Sequence, residues 1–121
     1  MIIKMKRGII MFVERLDQLL VEMEQEQNRL AKTERKDEAV FIGVGINIVN
    51  IGKTVWMAFA TVQPEEKRRD AFMRKMEGLQ AAWEESRARS EKYNDKDKVM
   101  IEDIKLNTLE KVVSIFRECT K

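Results

Sequence analysis

The chain has 121 residues, of which 44% are hydrophobic and 36% are charged, which is enough apolar content for one domain with one core. The 23 Lys and Arg nearly balance the 21 Asp and Glu, so the net charge gives no case for steering toward nucleic acid or an anionic membrane. The absence of His excludes an imidazole base, a Cys-His pair and an H-E-x-x-H zinc site. We therefore expect a single domain over residues 1–121 that is not an enzyme and needs no cofactor or metal.

The N-terminus is the most polarised part of the chain, with Lys4, Lys6 and Arg7 and no acidic residue up to Met11. The apolar run that follows is too short for the hydrophobic region of a signal peptide. Cys119, the single cysteine, excludes an intramolecular disulfide and fits a reducing compartment. We expect residues 1–10 to be a weakly ordered extension, Cys119 to be a structural thiol and the protein to be cytoplasmic.

A first amphipathic helix is predicted from Phe12, because apolar residues then recur at helical spacing. Glu26 occupies the one position of this series that should be apolar. The pattern fades over residues 32–38, where Asp37 is a reasonable N-cap for a second helix. The apolar positions are Phe12, Leu16, Leu19, Met23 and Leu30.

The segment 39–62 differs from the rest of the chain because Lys53 is its only charged residue. Many β-branched residues favour a hairpin over residues 40–62, with a turn around Asn50 to Lys53. Helical periodicity favours a helix instead, because the small and polar residues share one narrow stripe. A helix that is apolar nearly all round this stripe is expected to be the innermost helix. The stripe consists of Gly43, Asn47, Asn50, Thr54, Met57 and Thr61.

Two further interpretations of this segment are a membrane span and a phosphate-binding loop. The segment is long enough to cross a bilayer, but Asn47, Asn50 and Lys53 lie near its middle, where polar groups are costly, and aromatic belts are missing. Gly52-Lys53-Thr54 matches the end of G-x-x-x-x-G-K-[ST], but the first glycine of that pattern is replaced by Asn47. We therefore favour a buried helix over both of these interpretations.

Two more amphipathic helices are predicted after this segment. One begins at Pro64, because proline suits the first turn of a helix and the acidic residues behind it complement the helix dipole. A polar cluster at 94–97 predicts a turn before the last helix. The third helix is rich in Lys and Arg, but acidic residues at ion-pair spacing offset them, which is typical of a solvated face rather than a nucleic-acid interface.

A polar cluster is the most specific site predicted. If the first two helices form an antiparallel pair that turns near residues 37 and 38, Lys53 lies level with Glu22 and Glu26. This cluster would be either a paired polar layer that fixes register or a binding site. Its predicted members are Glu22, Glu26, Asn47, Asn50, Lys53 and Thr54.

The sequence thus predicts an all-α protein, an up-and-down bundle of three or four helices with an apolar central helix at about 39–62, and the alternative is α+β with the hairpin. The expected function is a non-enzymatic interaction, adaptor or assembly module that acts through helix faces, with a protein partner that is a second copy in a homodimer. A nucleic-acid-binding regulator and a membrane-associated helical protein are the alternatives. No small-molecule ligand is indicated.

Overall fold

The computed structural model describes residues 2–120, with side chains from residue 11 onward. Four helices cover this part of the chain, and no strand occurs in it: α1 is Ile2–Ala31, α2 is Lys36–Ala58, α3 is Glu65–Lys92 and α4 is Lys96–Cys119. The all-α prediction is confirmed, and the hairpin alternative at 40–62 is wrong. The backbone of α1 begins well before Phe12, but the side chains of residues 1–10 lie outside the described part of the chain, so the predicted extension stays a prediction.

The ends of the helices follow from local chemistry. At the end of α3, Asn94 adopts a φ of 58°, Asn94 N donates to the Glu91 carbonyl and Asp95 N donates to the Ser90 carbonyl. This is a Schellman ending, for which asparagine is suited because it tolerates the left-handed conformation. The Asp95 side chain then caps α4 by accepting from Lys98 N at 3.2 Å.

The two other connections correct the predicted helix limits. In the first turn, Thr33 Oγ1 donates to the Leu30 carbonyl and accepts from Arg35 N, so α1 ends at Ala31 and α2 begins at Lys36, not near Asp37. At the other end, α2 stops at Ala58 instead of Val62. Pro64 is the N-cap of α3, one position before the predicted first turn.

The four helices form two αα-hairpins, α1–α2 and α3–α4, with equivalent positions sixty residues apart. Helix α2 begins at Lys36 and α4 begins at Lys96, and the two hairpins have similar patterns of buried positions. The hairpins pack through α2 and α4, with α1 also contacting α4 and α3 also contacting α2. Contact between the equivalent helices α2 and α4 is the pattern of an approximate two-fold arrangement within one chain.

Four aromatic rings, one from each helix, form the centre of the core at one end of the bundle. Phe12 and its equivalent Phe72 have ring centroids 5.5 Å apart, and Trp56 and its equivalent Phe116 are 5.4 Å apart. The cross pairs are also similar, at 5.1 Å for Phe12 with Phe116 and 5.6 Å for Trp56 with Phe72. Edge-on aromatic packing of this kind stabilises a core beyond the area that it buries.

Close approach of α2 and α4 depends on glycine. A Cβ built on Gly52 would lie 2.8 Å from Cγ1 of Val112, which is fully buried and occupies the equivalent position of the second hairpin. A Cβ on Gly45 would lie 2.8 Å from Met23 Cε of α1 and 3.3 Å from Thr108 Oγ1 of α4. Gly52 therefore sets the distance between the hairpins, whereas Gly45 lies mainly against α1.

Candidate interaction surface

The outward side of α2 from Val40 onward, which we call the α2 outer face, carries no charge. It consists of Val40, Asn47, Asn50, Ile51, Thr54, Met57 and Ala58, all of which are exposed. Three of these side chains are large and apolar, and their exposed fractions are 65% for Val40, 36% for Ile51 and 55% for Met57. The residues recur at helical spacings, so they share one strip along the helix.

The central position predicted for α2 is confirmed, but its outer face is left uncovered. The helix does contact α1, α3 and α4, and Val49 and Trp56 are fully buried against them. The polar stripe predicted from the sequence, however, points outward with its apolar neighbours. Two hairpins that pack through α2 and α4 leave the far side of each of these helices uncovered.

The equivalent side of α4 has ordinary surface chemistry. Met100, which corresponds to Val40, is exposed, but the positions after it carry charges of both signs. Asp103 pairs with Arg87, and Glu118 pairs with Arg15 of α1 at 2.6 Å. The hydrogen bond to Asp103 raises the pKa of Arg87, and the one to Glu118 raises the pKa of Arg15. One hairpin thus presents a charged outer face and the other an uncharged one.

Lys53 has a different partner from the one predicted for the polar cluster. Lys53 Nζ lies 2.6 Å from Asp17 Oδ1, with the two side chains 35% and 49% exposed. Glu26 instead binds Arg29 on its own helix, and this hydrogen bond lowers the pKa of Glu26. Glu22 is exposed. The reason is register: the turn lies at Thr33 rather than at residues 37 and 38, so α1 and α2 pair about six residues away from the predicted alignment.

Asn47, Asn50 and Thr54 do lie together, but on the α2 outer face and away from both glutamates. They form no side-chain hydrogen bond within the described residues, and they remain open to solvent or to a partner. Asp17 is the residue that the sequence pattern did not indicate. It lies next to Leu16, a core position, and a correct placement of the turn would have brought it level with Lys53.

The buried polar groups elsewhere serve packing. Arg68, 8% exposed, lies over the Trp56 ring at 3.7 Å and donates to the Trp56 carbonyl at 2.7 Å. Burial lowers the pKa of this guanidinium. Near the other end of the second hairpin, Glu102 accepts from Lys105 at 3.0 Å, and Lys105 lies over the Trp83 ring. Each cation is held by a ring and an acceptor, which is how charged side chains are accommodated near a core.

Grooves and metal ligands give no further site. An open groove of about 550 Å³ runs between α3 and α4, with an apolar floor that includes Leu106 and Val113 and a rim of mixed charge. A second groove of about 380 Å³ lies near Arg69 and Phe116. Among the side chains described, those of residues 11–120, no three Cys, Asp or Glu are grouped closely enough to hold a metal ion.

Helix α2 is long and apolar enough to cross a membrane, judged by length and composition alone, a test that core helices also pass. In its apolar 18-residue window 28% of the residues are buried, and Phe41, Ile42, Val44, Ile46 and Val55 are half-buried. The apolar surface of α2 that the bundle leaves uncovered is therefore the α2 outer face.

Comparisons of the chain with protein-family models, with curated proteins and with solved structures find no match.

Proposed function

We propose that the protein is a non-enzymatic helical interaction module that self-associates through the α2 outer face. The observation that supports this proposal is an exposed, uncharged strip on a chain in which 36% of residues are charged. Contiguous exposed apolar surface on a helical domain usually marks a site of association. The proposal includes a cytoplasmic location, which the single cysteine supports.

The strip is suited to reversible rather than permanent association. Val40, Ile51 and Met57 keep much of their surface exposed, and burial of each would contribute about 1 kcal/mol from apolar area. No charge has to be desolvated. Since association costs at least about 4 kcal/mol in lost freedom, we expect a weak dimer with a dissociation constant no higher than the millimolar range.

The alternatives have less support from the same surface. A lipid environment would leave the amides of Asn47 and Asn50 without hydrogen-bond partners, at a cost of about 1–3 kcal/mol for each unpaired group. For nucleic acid, several arginines on the surface are paired, among them Arg87 with Asp103 and Arg89 with Glu85. Enzymatic chemistry lacks His throughout the chain, and the carboxylates are mostly paired or exposed.

The first prediction uses equivalent asparagines. Asn47 and Asn107 are both exposed and sixty positions apart, on the outer sides of α2 and α4. By analytical ultracentrifugation, the wild-type chain should show a concentration-dependent monomer–dimer equilibrium. Asn47→Glu should weaken it at least tenfold, about 1.4 kcal/mol, because the carboxylate has to be desolvated in the interface. Asn107→Glu should leave it unchanged.

Three outcomes would contradict the proposal. If the wild-type chain stays monomeric at millimolar concentration, the proposed self-association is ruled out. Equal effects of Asn47→Glu and Asn107→Glu would show that the α2 outer face is not the interface. Co-sedimentation of the wild type with neutral phosphatidylcholine vesicles, lost in Asn47→Glu, would assign the face to a membrane. Circular dichroism of each variant checks that the fold is intact.

A further inference from the structure

We infer that the α2 helices of two copies dock antiparallel, with Val40 of one copy against Met57 of the other and Asn47 against Asn50. This inference rests on the self-association proposed above and names its geometry. It follows from the spacing, the end charges and the polar groups of the α2 outer face.

The spacing is the first argument. Val40 precedes Asn47 by seven residues, and Met57 follows Asn50 by seven, so the two exposed apolar side chains lie equally far from the asparagine pair. In heptad terms Val40 and Asn47 occupy one seam position and Asn50 and Met57 the other, and antiparallel helices bring these two kinds of position opposite each other. A single alignment therefore matches apolar with apolar and amide with amide. Two-fold symmetry makes each contact occur twice.

The charges at the ends of α2 are the second argument. The first turn carries Lys36, Asp37 and Glu38, whereas the last turn and Phe59 are uncharged. Lys36 lies on the same side of the helix as Val40 and Asn47, so parallel pairing would place it beside its own copy, and like charges this close are destabilising. In the antiparallel alignment Lys36 lies level with the uncharged residues that follow α2 in the partner. The helix dipoles also oppose each other in this arrangement.

The polar groups give the third argument. Asn47 and Asn50 have no side-chain hydrogen bond within the described residues, so each amide is free to pair across the interface. An amide can donate and accept at once, and a buried asparagine pair fixes the register of two helices because any slip leaves it unpaired.

The size of the contact is consistent with a weak dimer. At about 1.5 Å per residue, α2 is roughly 35 Å long, and a strip about 10 Å wide would bury roughly 700 Å² over both copies. That is below the area of a standard interface. The adjacent surface of α1, where Val21 is 52% exposed, can add to it.

Cross-linking of mixed variants tests the orientation. In a full-length Cys119→Ser background, Val40→Cys and Met57→Cys chains are prepared separately and treated with a short bismaleimide, alone and mixed. The antiparallel arrangement predicts a cross-linked dimer in the mixture at least tenfold more abundant than with either chain alone. Met100→Cys, the equivalent exposed position on α4, is the matched control and should not link to Met57→Cys.

The outcomes separate this inference from the proposed function. Cross-links within each single variant, with no further increase of dimer in the mixture, would show parallel helices and overturn the inference. A second outcome is that no specific cross-link forms, while the wild type still dimerises and the Asn47→Glu variant does not. That result would overturn the register and orientation but keep the interface. A wild type that never dimerises would overturn both.

Discussion

The two hairpins of this protein share one way of packing and differ in what they show to solvent. Their cores correspond position by position, with Phe12 and Phe72, and Trp56 and Phe116, meeting in one aromatic cluster. Their outer faces do not correspond. The outer side of α4 carries paired charges, whereas the outer side of α2 has Asn, Thr and apolar residues only.

This difference shows which part of the α2 sequence the fold does not require. Since α4 packs in the equivalent position with a charged outer side, charge at those positions is compatible with the architecture. The absence of charge from the α2 outer face therefore needs another explanation, and the partner surface proposed above is one. The following predictions test both halves of the comparison, the shared core and the individual surfaces.

The largest effect is expected where the hairpins meet. Gly52→Val should destabilise the fold by about 1–3 kcal/mol, because even its Cβ would lie 2.8 Å from Cγ1 of the stiff, buried Val112. If the two positions are equivalent, Gly52→Val combined with Val112→Gly exchanges the residues across the contact and should recover most of that loss. Urea denaturation of the single and double variants measures both values.

A double variant no more stable than Gly52→Val would mean that the two sides of this contact are not interchangeable. The approximate two-fold arrangement would then describe the helices but not the packing of their side chains. Measurements belong at a protein concentration below the dissociation constant of the dimer, so that self-association does not contribute to stability.

Most of the fold could be predicted from the sequence, because amphipathic periodicity and a lone proline determine where helices form. The details that failed depend on tertiary geometry. The earlier turn between α1 and α2 moved the partner of Lys53 from Glu22 or Glu26 to Asp17, since every residue of an antiparallel pair shifts with its turn. Nor can periodicity show which sides of an apolar helix are covered: α2 is central as predicted, but Val40 and Met57 lie in solvent.

The turns of the two hairpins provide a smaller test. Asn94→Ala should cost about 1 kcal/mol, because alanine is strained at the φ of 58° that ends α3, whereas Asn94→Gly should be neutral or slightly stabilising. The equivalent residue of the first turn, Glu34, is exposed, and no left-handed conformation occurs there among the described residues. Glu34→Ala is therefore expected to change stability by less than about 0.5 kcal/mol. Equal losses in both turns would mean that the Schellman ending does not limit stability.

The smallest effect has the opposite sign and separates two uses of glycine in a helix. Gly78 lies within α3, and a Cβ added there would meet no atom within 4 Å, whereas Gly52 has no room for one. Gly78→Ala should therefore stabilise the fold by about 0.5–1 kcal/mol, which raises the melting temperature by roughly 2–6 °C in thermal unfolding. Loss of stability in Gly78→Ala would indicate that this side of α3 is covered, because only a packed neighbour could make an added methyl group costly. The outer side of α3 would then be a second interface beside the α2 outer face. The two hairpins would then differ less in the surfaces that they expose.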